Sequence, residues 1–101
     1  MVIQNLNSEQ LEIASNMLKA IAHPKRLSIL KFLDGGKQLN VTEIHKLLGL
    51  EQSTTSHHLG ILKDKGVLAS RRVGKNTYYF LKHDNLTKIV ECVSQCAYVV
   101  K

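Results

Sequence analysis

The chain has 101 residues, a length that suits one domain with a modest core. Lysine and arginine number 14 against 8 acids, a net charge of +6, which points to a polyanionic partner. No apolar run reaches the roughly 18 residues of a membrane span, and Met1–Asn7 lacks a charged start with an apolar stretch, so an export signal is not expected. Two cysteines in a non-exported chain are expected to be reduced thiols, and a cytoplasmic location follows. Six basic and two acidic residues lie between Glu51 and Lys82, so most of the excess charge sits in one third of the chain. A surface made soluble by lysines is a common alternative explanation of such a patch.

Met1–Asn7 reads as a loose arm. Ser8 is a candidate N-cap for a helix over about 8–22, with Leu11, Ala14, Met17, Leu18, Ile21 and Ala22 on one side. His23-Pro24 breaks it, because the residue before proline is pushed out of the α region. Pro24 suits the first turn of a second helix, about 24–34, which Asp34-Gly35-Gly36 ends. A third, short helix over about 41–48 starts at Thr42 or Asn40 and points Ile44, Leu47 and Leu48 inward. Gly49 is placed to follow it in the left-handed conformation.

Gln52–Lys65 is a fourth helix with two unlike sides. With Ser53 at 0° and 100° per residue, Thr55, His58, Leu59, Ile61 and Leu62 fall between about 80° and 240°. Ser53, Ser56, His57, Gly60 and Lys63 lie opposite. A short, polar, donor-rich face of this kind suits a DNA major groove; it also suits a merely solvated surface. Helix, tight link, then a helix with a polar outer face is a helix-turn-helix. After Gly66 the period becomes two. Val67–Val73 and Asn76–Leu81 read as a hairpin closed by Gly74-Lys75, with glycine first as a type II′ turn requires. Arg71, Arg72, Lys75 and Asn76 crowd its tip, so the segment 67–81 reads as a wing that touches phosphates or a minor groove. Asp84 is a candidate cap for a last helix over about 85–100. Its stripe of Leu86, Ile89, Val90, Val93, Cys96, Ala97 and Val100 follows the wing with no obvious core left to fill.

The expected fold is therefore mainly α with a small β-hairpin, in the order α-α-α-α-β-β-α, forming one domain over 1–101. The chain resembles the ArsR/SmtB family of small winged helix-turn-helix repressors over nearly its whole length. The resemblance rests on Leu18–Leu30, with Arg26, Leu27, Ile29 and Leu30 in the family's opening pattern. It rests also on Gln52–Leu62, close to the family's recognition helix, and on Gly66–Leu68 followed by Arg71–Leu81, similar to its wing. The resemblance implies a homodimer paired through the first and last helices, bound to a partly palindromic operator near its own promoter and released by an inducer. It implies DNA contacts at Gln52, Ser53, Thr54, Ser56 and His57 on the helix, and at Arg71, Arg72 and Lys75 on the wing. Lys63, on the polar side of the same helix, joins them as a candidate.

The sequence departs from the metal-sensing patterns of that family. Val41–Lys46, at the start of the helix before recognition, holds no thiol. The last helix carries Lys88, Glu91, Ser94 and Gln95, with only His83 and Asp84 at its start, too few ligands for a zinc site. No cofactor is required. Cys92 and Cys96 remain, four apart on one side of the last helix. They are either buried small apolar residues or a thiol pair for redox or soft-metal sensing, with Lys88 and Lys101 the nearest candidate cations. Among the histidines, His57 faces outward, His58 partly inward, His23 is placed to bond backbone, and His45 and His83 read as solvated. The alternative to a repressor is a winged-helix protein-interaction module without a sensor site. No Ser/His/Asp, paired-carboxylate or glycine-rich phosphate arrangement is present, and neighbours such as Ser56 and His57 do not face each other on a helix, so an enzyme is not expected.

Overall fold

A computed structural model describes residues 6–100, and the side chains of residues 6–97. The arm expected over 1–7 falls outside that range except for Leu6 and Asn7, and Lys101 falls outside it altogether. The elements are α1 (Ser8–Ile21), α2 (Pro24–Phe32), β1 (Leu39–Asn40), α3 (Val41–Leu48), α4 (Gln52–Asp64), β2 (Leu68–Val73), β3 (Asn76–Leu81) and α5 (Leu86–Val100).

Asparagines set the starts of α1 and α3. Asn7, not Ser8, caps α1: its Oδ1 accepts from Gln10 N at 2.8 Å, and Gln10 Oε1 accepts from Asn7 N at 3.0 Å. Asn40, not Thr42, caps α3 in the same way with Glu43, at 2.8 and 3.0 Å. Each exchange satisfies backbone donors that a helix start otherwise leaves unpaired. Pro24 sits in the first turn of α2, and His23 caps it, its Nδ1 accepting from Lys25 N at 3.1 Å. Gly49 follows α3 with φ 68°, a conformation that costs an ordinary side chain steric strain.

The strand at Leu39–Asn40 was not expected from the sequence. It pairs antiparallel with β3, Leu39 opposite Tyr79 and Asn40 opposite Tyr78, so the hairpin becomes a three-stranded sheet in the order β1-β3-β2. Two residues carry no alternating pattern, and their strand character exists only because β3 offers an edge. The element order is thus α-α-β-α-α-β-β-α. In the hairpin, Val73 pairs with Asn76 across Gly74-Lys75, and Gly74 has φ 62°, the sign a type II′ turn needs at its first position.

Ile21, Ile29, Leu30, Leu33, Ile44, Leu59, Leu62, Val67 and Leu68 form the centre of the core. α5 has a share in it, contrary to the expectation that no core was left: Leu86 is buried, and Ile89 and Val90 pack against the cluster. Other stripe positions stay uncovered in the single chain. Leu47, expected inward on α3, is 52% exposed, while Leu11 and Leu18 on α1 are 49% and 54% exposed and Val93 on α5 is 46% exposed. The apolar faces of α1 and α5 are wider than the core of one chain can cover.

Candidate nucleic-acid interface

The tertiary structure orients α4 by burying one side of it. Thr55, His58, Leu59 and Leu62 face the core, with Ile61 half-buried. Gln52, Ser53, Thr54, Ser56, His57 and Lys63 are exposed. Thr54, at about 100° on the same helical wheel, falls on the apolar side, yet it is exposed in the first turn of α4. On the hairpin, Arg71, Arg72, Gly74, Lys75 and Asn76 are all exposed. The structure thus brings the expected contact residues to the surface of two consecutive elements, α4 and the β2–β3 hairpin.

Two of the arginines are held in place. Arg71 Nη2 donates to Gln38 Oε1 at 2.9 Å, and Arg72 Nε donates to the Gly74 carbonyl at 3.3 Å. Gln38 is absent from the sequence-based site. Nothing local marks it, because its partner is 33 residues away. Arg26 was missed for the same reason: its Nε donates to Nδ1 of His58 across 32 residues, at 3.1 Å.

His58 is 7% exposed and sits beside the Arg26 guanidinium and two other imidazoles. Its imidazole is held below the ordinary value of 6.5, first by burial, then by Arg26, His23 and His57. The His23 ring lies 4.8 Å from it and the His57 ring 6.2 Å, centre to centre. His45 is only partly solvated, contrary to expectation, because its Nδ1 lies 3.2 Å from the Leu50 carbonyl across the turn before α4. His83 is exposed. Near α5, Asp84 supplies its backbone carbonyl, which accepts from Thr87 Oγ1 at 3.0 Å.

Cys92 and Cys96 are both exposed, so the expectation of buried thiols does not hold in the single chain. Neither lines the cleft of about 510 Å³ that runs between α2 and α5 past Leu30, Lys31, Val90 and Ser94. Among the described residues no three of His, Cys, Asp and Glu gather closely enough to hold a metal ion. Among them too, no helix is long and apolar enough to cross a membrane.

Residues 23–70 match the family described as "Bacterial regulatory protein, arsR family". Across 78% of its length the chain is 37% identical to the HTH-type transcriptional regulator YgaV of Escherichia coli, covering 80% of that protein. The chain belongs to the ArsR family. It is accordingly a DNA-binding transcriptional regulator with the winged helix-turn-helix fold, and not an enzyme. The crystal structure of the transcriptional repressor PagR of Bacillus anthracis matches this ArsR-family chain with a TM-score of 0.77 at 38% identity, covering 86% of this chain and 99% of that one. A solution structure of the homodimeric winged helix-turn-helix domain of Mb0332 from Mycobacterium bovis matches with a TM-score of 0.76 at 30% identity, covering 86% and 80%.

Proposed function

We propose that this regulator is a repressor acting as a homodimer, one winged-helix domain per chain, on a partly palindromic operator in the cytoplasm. α4 enters the major groove and reads bases through Gln52, Ser53, Thr54, Ser56 and His57, with Lys63 near the backbone. The hairpin sets Arg71, Arg72 and Lys75 against phosphates or the adjacent minor groove. The observation that carries this reading is the division of α4, buried on one side and short, polar and exposed on the other, with an exposed basic hairpin next in the chain. The uncovered leucines of α1 and the uncovered Val93 of α5 support pairing through those two helices.

Release is assigned to the exposed Cys92 and Cys96 of α5. Two such pairs meeting across a dimer axis would supply up to four sulfurs to a soft metal ion. Alternatively an oxidant would couple thiols between chains, which is easier than closing a disulfide along one helix.

The reading is tested by selecting a duplex from a random-sequence pool with the purified protein and measuring its affinity. Ser56→Ala and His57→Ala are expected to weaken the selected duplex by roughly 1–3 kcal/mol each while leaving unrelated DNA alone. Selection of no sequence, or equal loss on every sequence, refutes base reading by α4.

A further inference from the structure

Arg26 joins three helices. Its Nε donates to His58 Nδ1 on α4, and its Nη1 donates to the carbonyl of Ala20 in the last turn of α1, both at 3.1 Å. The second bond satisfies a carbonyl that the end of α1 would leave without an intrahelical partner, and places a cation at that helix's negative end. The first bond has a condition. A guanidinium only donates, so Nδ1 must carry no proton and His58 must be neutral. His58 is buried on α4, immediately after the outward-facing His57.

We propose that Arg26 and His58 are positioning residues for DNA binding: a latch, closed only while His58 is neutral, that fixes α4 against the α1–α2 corner and sets how Ser56 and His57 meet the groove. The inference rests on α4 being the recognition helix. The titratable groups that act on His58 are Arg26 from α2, His23 from the turn between α1 and α2, and His57 from α4 itself. All three disfavour a charged imidazole, as does burial, so the latch is closed at neutral pH and opens in acid. The sign for stability is the same. The unfolded chain takes up the proton first, so the latch's contribution is present above about pH 6.5 and is lost as pH falls through the lowered folded value.

The experiment uses the full chain and a duplex it selects from a random pool, with affinity followed from about pH 8 to 5 at constant ionic strength. His58→Gln keeps an acceptor for Arg26 but does not titrate. It is expected to bind like the wild type at neutral pH and to lose the acid-induced weakening. His58→Ala is expected to weaken binding about tenfold, as for loss of one charge-assisted hydrogen bond, and Arg26→Ala, which also gives up the bond to the Ala20 carbonyl, at least as much, both with an unchanged salt slope. A shallower slope in Arg26→Ala would mean that Arg26 touches DNA and would overturn the latch. So would a His58→Gln protein with the wild-type acid profile. Nitrogen NMR of His58 in the DNA-free wild type provides a test independent of variant folding. A proton on Nε2 at neutral pH is expected, and a proton on Nδ1 overturns the proposal. Ser56→Ala and His57→Ala run alongside. If they also leave affinity intact, the reading of α4 fails. If they weaken binding while Arg26→Ala and His58→Ala do not, only the latch fails.

Discussion

Arg72→Ala offers a quantitative test of the wing. The Arg72 guanidinium uses its Nε–H on the Gly74 carbonyl, which leaves the four N–H donors of its Nη atoms free at an exposed hairpin tip. In the proposed dimer the substitution removes two such groups. Each phosphate neutralised contributes about −0.9 to the slope of log K against log salt. The variant's slope should therefore be shallower by about 1.8, which amounts to an affinity loss of about thirtyfold at 0.15 M salt and only about threefold at 0.5 M. The loss at the lower salt is about 2 kcal/mol. Phosphates are the same in every sequence, so selected and unrelated duplexes should lose affinity alike. The assay is a fluorescence-anisotropy titration of both duplexes at several salt concentrations. Arg72→Lys, which keeps the charge, should keep the slope. An unchanged slope in Arg72→Ala, or a loss confined to the selected duplex, would refute a phosphate role.

Thr55 is fully buried on the inner side of α4, and its Oγ1 has no hydrogen-bond partner. Thr55→Val removes an unsatisfied hydroxyl at similar shape, so it should raise stability by about 1 kcal/mol and the thermal midpoint by roughly 4–8 °C; a lowered midpoint in a circular-dichroism melt would count against this. Cys92→Ser combined with Cys96→Ser should bind the selected duplex as the wild type does but no longer be released by cuprous ion or peroxide. A double variant that still responds makes the thiols bystanders.

Local patterns made much of this molecule legible. The glycine after α3, the proline at the start of α2, and the change of period from 3.6 to two after Gly66 are consequences of backbone sterics and side-chain spacing, which act over a few residues. The same holds for the polar side of α4: at 100° per residue, Ser56 and His57 fall opposite Leu59 and Leu62 wherever the helix is placed. Cap identity was less secure, because Asn7 and Ser8, or Asn40 and Thr42, are equally able to cap, and only the reciprocal bonds with Gln10 and Glu43 separate them.

What required the tertiary structure is what depends on partners far along the chain. β1 exists because β3 lies beside it, and no two-residue segment could announce that. The core role of Leu86 and the exposure of Leu47 depend on where neighbouring helices lie, not on the stripe each helix carries. Arg71 meets Gln38, and Arg26 meets His58, across more than thirty residues, distances over which no periodicity operates. Helical spacing alone gives α4 a face suited to a groove. Only the packing of α1, α2 and α4 decided that this face is held by a buried histidine, and that the bond holding it requires the histidine to be uncharged.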